Sequence, residues 1–494
     1  MSCGRMSMNV PRIVLLAVVL ISLVVLCAGN PARNVDGPDG FTRVVYWEKW
    51  SGYEAQAAQA VVDAFNESVG AEQKIFVEYV PVANVDVKAQ VAIIGGDPPD
   101  LVGLWQRNIA GFVAANAIAS LEDIDETQSI ESLVLNPLLQ ACKYHDQLFA
   151  VPSTPATIAL YWNRGLFAEH AAELRDAGLD PTRAPRSLAE LKSASQVLSK
   201  RGPNGKLQRM GYLPGTAGSF DWYWHTWPIW WGGTWTDAST GRLDVAQEDI
   251  IEAHRWVQQY TKEYGYEDVL AFESSLGEFG APDNPFLAEK LAMVRQGPWM
   301  AHLLRRFRPD LDVGVAPFPT RSGEPIGFFE MDVLAIPRGA KNPQAAWTFI
   351  RWLYDAAPLT IKEYREMSPW LSDAKFDESE VNHAEGALRL TPIEWLCWLQ
   401  GKNSPLATLS DAFVATHPNH GITAHEFLLR QAPTATLPLL PNWSELLSEY
   451  RATYGQVWIS DCDIAATFRA CQKEIDSLTA KCIARYHRWG VSYP

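Results

Sequence analysis

Six tryptophans fall within sixteen residues of this chain, 220-FDWYWHTWPIWWGGTW-235, which also hold Phe220 and Tyr223. An indole offers a large flat apolar surface, little conformational freedom to lose and one N–H donor at its edge. Set beside a carboxylate and an imidazole, here Asp221 and His225, indoles suit recognition of a ligand with an apolar face and polar edges. Pro228, Gly232 and Gly233 break the run into turns, and turns run over surfaces. The expectation is that Trp222, Trp224, Trp230 and Trp231 line a binding cleft, with Trp230 and Trp231 foremost. The competing reading is that they fill a core.

Bond-making chemistry has weaker signals. No nucleophile elbow, zinc-binding HExxH helix or phosphate loop occurs in the sequence. His417 and His420 have ligand-like spacing but lie in a Pro-containing loop with no third ligand, so neither a metal nor a cofactor is expected. The carboxylate pair a glycoside hydrolase needs can be drawn as Glu330 with Asp332 or as Glu273 with Glu278. That both can be drawn makes neither specific, and no catalytic residue is assigned.

The chain of 494 residues is too long for one ordinary core. Its formal charge of −15 argues against nucleic acid or an anionic membrane surface as partner. Arg5 and Arg12 precede an apolar run from Ile13 to Leu26, and Ala28 and Gly29 follow. This is the pattern of a secretory leader over residues 1–29, and the run is shorter than the roughly 20 residues a bilayer span needs. Two processing routes are open: cleavage after Ala28 or Gly29, or lipidation of Cys27, since 23-LVVLCAGN-30 resembles a lipoprotein box with Leu26 where a small residue is usual. A linker over 30–40 leads into the fold.

The elements that must position a site alternate. Strands are expected at 43–47, 75–80 and 101–105, with helices between them that carry Ala58, Val61, Val62 and Phe65 on one face and Val87, Val91 and Ile94 on another. Such alternation predicts an α/β fold with a parallel sheet. A strand over 331–337 and a helix over 342–354, with Asn342 as cap and Pro343 in its first turn, repeat the theme. At the C-terminus, Ile464, Phe468, Cys471, Ile475, Leu478 and Cys482 form one helical stripe. Cys471 and Cys482 then lie roughly 16 Å apart, beyond disulfide reach. With Cys142, Cys397 and Cys462 they make an odd set, and its pairing stays open.

Several segments in order resemble the extracellular solute-binding proteins of family 1, which include sugar-binding components of ABC importers. They are 46-YWEKWSG-52, 95-GGDPPDLVGLW-105, 148-LFAVPSTPATIALYWNRGLFAEHAAEL-174, 185-PRSLAELKSASQVL-198, 297-GPWMAHLL-304, 312-DVGVAPFP-319 and 332-DVLAIPRGAKNPQAAWTFIRWL-353. The match fades beyond about 365, except at 433-PTATLPLLPNWSELL-447.

The resemblance implies the type II periplasmic-binding-protein fold: two α/β lobes around a ligand cleft, joined by hinge crossings near 150–156, 325–331 and 366–371. The N-terminal lobe would comprise 41–153 plus 328–366, and the C-terminal lobe 154–327 plus 367–494. It also implies export, a carbohydrate ligand, an ABC permease as partner and a monomer touching membrane only through a lipid anchor. A secreted hydrolase and a sensor subunit are the rival readings. A sugar ring has an apolar C–H face and an equator of hydroxyls, which tryptophans with adjacent carboxylates recognise well. Strand C-terminal ends nominate Glu48, Trp50 and Trp105, the Gly-x-Trp position nominates Trp299, and the second crossing nominates Glu330 and Asp332. Tyr161 and Asn163 are expected at the hinge.

Overall fold

The computed structural model describes residues 37–214, 224–237, 242–367 and 389–488. The chain opens with β1 (Thr42–Glu48), α1 (Gly52–Glu67), β2 (Ile75–Pro81), α2 (Val85–Ile94) and β3 (Leu101–Trp105). β1 pairs in parallel with both β2 and β3, as the alternation predicts. α1 packs on this sheet through Ala58, Val61, Val62 and Phe65, each at most 3% exposed.

α2 departs from expectation. It meets the sheet through Val85 and Ala89, while Val87, Val91 and Ile94 face outward at 58%, 65% and 87% exposure. The small Ala89 allows close seating on that side, so the larger aliphatic face is left to solvent.

After α3 (Ile109–Ala114), the strand β4 (Val151–Thr157) carries the chain across to β5 (Ala159–Asn163), with Ile158 between them. The second lobe contains α4 (Trp227–Trp230), α5 (Glu248–Tyr264), β6 (Met293–Gln296), α6 (Met300–Phe307) and β7 (Val313–Ala316). Its sheet is antiparallel, in the order β6-β5-β7. β8 (Gly327–Ala335) returns to the first lobe, antiparallel to β3 and β4. α7 (Pro343–Asp355) follows, with Ala346, Phe349, Ile350 and Leu353 buried. Asn342 occupies its cap position, but the side chain donates to Arg43 O at 2.8 Å and does not cap the helix.

The late chain divides differently from the expected boundaries. α8 (Pro392–Gln400) has every residue buried and so needs neighbours all round; it packs between α1 and α7 in the first core. Residues Leu390 to Phe413 therefore add to the N-terminal lobe, not to the C-terminal one. The chain crosses back through α9 (Ile422–Arg430) and β9 (Thr434–Ala435), which runs parallel to the start of β8. The expected crossing at 366–371 falls largely outside the described residues. α10 (Trp443–Val457) and α11 (Ile464–Arg488) complete the second core, which takes in Ile464, Phe468, Cys471 and Ile475 from the predicted stripe. The five described cysteines are free, and all but Cys462 are buried.

α9 backs the hinge. His425, fully buried, places Nδ1 2.9 Å from Thr157 Oγ1 on β4 and Nε2 2.9 Å from the Tyr161 hydroxyl on β5. One imidazole thus spans the crossing between lobes. Burial lowers its pKa to about 3, so it sits there neutral. Tyr161 thus joins β5 to α9 beside the crossing, whereas Asn163 caps the helix Arg164–Glu169, accepting from Leu166 N at 2.9 Å. Gly327, at the start of β8, lets α9 approach: a Cβ there would lie 2.1 Å from Leu428 O. Among the described residues no helix is long and apolar enough to cross a membrane.

The outward face of α2 gives a direct check. Replacing both Val91 and Ile94 by Lys should change unfolding free energy by no more than about 0.5 kcal/mol per site, whereas Phe65→Ala should lose about 3–5 kcal/mol. Urea titration of the three chains measures both.

Candidate functional site: the interlobe cleft

β1 and β3 end side by side, with Glu48 and Trp105 the last residue of each. Glu48 turns down into the lobe. It is fully buried; its carboxylate accepts from the Tyr46 hydroxyl (2.7 Å), Lys49 N (2.8 Å) and Lys49 Nζ (2.9 Å). It fills the space under Gly103, where a Cβ would sit 1.7 Å from Oε2. Burial raises its pKa more than Lys49 lowers it. Glu48 is thus committed to the scaffold, against the expectation that it meets ligand.

Asp332 is the centre of a second network. Its carboxylate lies 3.0 Å from Lys49 Nζ and 3.0 Å from Lys402 Nζ, and accepts from Thr154 Oγ1 (2.9 Å) and Trp50 Nε1 (3.2 Å). Lys402 in turn pairs with Glu54 at 2.8 Å. The two ammonium groups stand 5.2 and 5.3 Å from the centre of the Trp50 ring, which is 4% exposed. Burial alone would push the Asp332 carboxyl up, but Lys402 and Lys49 outweigh it and hold it well below the ordinary carboxylate range. Of the nominated residues, Trp50 and Asp332 are therefore joined to each other and mostly covered.

Outside this buried layer lies a more accessible one. Trp105 is partly exposed, with Arg107 Cζ 4.7 Å and Lys49 Nζ 5.3 Å from its ring centre. Arg107 pairs with Glu330 at 3.3 Å, so Trp105, Arg107 and Glu330 form one patch. From the other lobe, Trp299 stands at the cap of α6, half-buried, its Nε1 donating to Gln296 Oε1 at 3.0 Å and its ring lying over Gly297. One turn on, His302 stacks on Tyr53 of α1, ring centres 3.7 Å apart and planes 14° apart. Burial, with Arg305 and Arg306 nearby, lowers the His302 pKa to about 4, so a neutral imidazole makes this contact between lobes.

The tryptophan run goes elsewhere. Trp227 and Trp230 lie on α4 and are fully buried, Trp230 against Phe318 at 5.0 Å and Trp227 against Trp256 at 5.3 Å. Trp231 is partly buried, edge-on to Trp256 and Trp227. Trp235 packs on Trp443 and Tyr450. The Pro-Gly punctuation that suggested surface turns instead bounds a short helix sunk in the second core. Trp230 is thus a core residue, not an exposed platform. Trp222 and the Trp224 side chain lie outside the described residues. His417, one half of the HPNH pair, is buried and bonded to backbone, with Nε2 3.1 Å from Lys402 O and Nδ1 accepting from Asn419 N.

Arg107, Tyr53, His302 and Lys402 were not nominated from sequence. Arg107 follows Trp105 by two residues and could have been found by the same strand-end rule. The others had no local signal, because their partners are remote in the chain.

A family model for bacterial extracellular solute-binding proteins matches residues 51–358, more than half of the chain. This chain belongs to that family. The solute-binding protein also shares its fold with solved structures. CpMnBP1 with mannotriose bound superposes with a TM-score of 0.67 at 20% identity, covering 88% of this chain and 100% of that one. MalE from Bdellovibrio bacteriovorus bound to maltotriose gives 0.62 at 14%, covering 89% and 100%. UgpB from Mycobacterium tuberculosis in complex with glycerophosphocholine gives 0.63 at 18%, covering 90% and 100%. At such identities these likenesses speak for the fold.

Two predictions follow from the packing of this solute-binding protein. Trp230→Ala should lower its unfolding free energy by about 3–5 kcal/mol, the range for a large core aromatic, read by denaturant titration. Asp332 has a folded pKa below its unfolded value of about 3.9, so it contributes stability above that pH and loses it as pH falls. Asp332→Asn should therefore lose about 1.5–3 kcal/mol at pH 7, since Lys49 and Lys402 each lose one of two carboxylate partners and keep only Glu48 and Glu54. The loss should shrink as the titration is repeated below pH 4.

Proposed function

We propose that this solute-binding protein captures a carbohydrate, an oligosaccharide, outside the cytoplasm and hands it to an ABC permease. The observation that carries the reading is the accessible patch on the cleft: Trp105 with the Arg107–Glu330 pair beside it. An indole takes the C–H face of a sugar ring, and guanidinium and carboxylate groups hydrogen-bond its hydroxyls. Trp299 supplies a second aromatic from the facing lobe. The buried charges behind the patch are already neutralised, Lys49 by Asp332 and Lys402 by Asp332 and Glu54. That balance favours an uncharged polyol over a phosphate ester. Related folds hold mannotriose and maltotriose, which agrees with this choice, and one holds glycerophosphocholine, which makes it worth testing.

The same geometry supports a binder over an enzyme. The carboxylates nominated for hydrolysis at the second crossing are both engaged by cations, Asp332 by Lys49 and Lys402 and Glu330 by Arg107. In this reading the leader over 1–29 directs export, with cleavage after Ala28 or Gly29 or a lipid tether at Cys27, and the mature chain acts as a monomer.

A thermal-shift screen of the chain from about residue 30 against mannotriose, maltotriose and glycerophosphocholine tests the proposal, with released reducing sugar assayed in the same wells. A saccharide at 100 times its dissociation constant should stabilise the fold by about 2.7 kcal/mol. Trp105→Ala should weaken that binding about tenfold, or ~1.4 kcal/mol, at unchanged fold stability. A shift with glycerophosphocholine alone would replace the saccharide by a phosphate ester, and product release would overturn the binder reading.

A further inference from the structure

The last helix serves two cores. The N-terminal half of α11 buries Ile464, Phe468, Cys471 and Ile475 in the second lobe, against α5 and α10. Its C-terminal end buries Cys482 and Tyr486 against Ala114, the last residue of α3 in the first lobe. Cys482 is 2% and Tyr486 6% exposed, which on a helix end requires a partner surface. Tyr144, on a hairpin strand that packs beside α3, belongs to that surface. Its phenol is buried without a hydrogen-bond partner among the described residues, and burial together with the nearby Tyr486 and Cys482 pushes its pKa up to about 12.

A continuous helix of 25 residues is about 37 Å long, so no flexible joint separates the two footprints. The entry to α10 makes a second contact of this kind: Pro441 O lies 3.2 Å from where a side chain on Gly111 of α3 would begin. In the same arrangement Tyr53 meets His302 across the cleft. A contact made in one arrangement and broken in another shifts the balance toward the first, whether or not it touches ligand.

We propose that the end of α11 is a strut between the lobes: it holds them in the arrangement where Tyr53 and His302 stack, and so sets how readily the empty protein opens. The test is small-angle scattering of the ligand-free chain, which does not depend on what the cleft binds. Tyr486→Ala removes the contact from the second lobe, and Ala114→Lys blocks it from the first. Each should raise the radius of gyration by roughly 1 Å above the value of about 23 Å for a compact chain of this length. The double variant should go no further than either single one, and Tyr486→Phe should keep the wild-type value. Circular dichroism checks that each chain is folded. If either single variant is folded with an unchanged radius, the contact is packing alone and the proposal fails, even if its melting temperature has dropped.

Discussion

The first lobe is organised around one buried carboxylate. Asp332 sits on the strand that returns from the second lobe, and it takes lysines from the end of the first strand and from the segment after α8, with Thr154 from the outgoing crossing. Four stretches remote in sequence are thereby fixed at a single point beneath the cleft. An ion cluster this dry is tolerable only when every member is satisfied. Here Glu54 completes the shell around Lys402, and Trp50 lends both its N–H and its ring face. The order this imposes on the cleft floor is what lets Trp105, Arg107 and Glu330 present themselves in a fixed pattern above it.

The regular elements of the first lobe could be read from sequence because the rules that make them are local. The alternation of strand and helix patterns placed β1 to β3 close to their observed bounds. The same locality explains the failures. Whether the Val87, Val91 and Ile94 face or the Val85 and Ala89 face of α2 lies down depends on what the sheet presents, and both faces are apolar. α8 is apolar all round, so its periodicity names no side and hence no lobe.

The aromatic run shows a related limit. Composition registers how much indole is present, while exposure is a property of the neighbours: Phe318, Trp256 and Trp443 come from segments well downstream and cover the rings. Trp105 and Trp299, nominated from element ends, are both left partly exposed by the fold. Glu48 obeyed the same end rule and still turned inward, since Gly103 on the adjacent strand leaves a hollow of carboxylate size. Lys402 had no signal, because a buried lysine is recognisable only from partners that the fold brings to it.

The contact between Gly327 and α9 has a mechanical meaning. With no side chain between them, the crossing strand rests on the carbonyl of Leu428, while the imidazole of His425 grips both sides of the neighbouring crossing. Any side chain at position 327 would have to push that carbonyl aside, so the seat of the crossing strand is open to glycine alone.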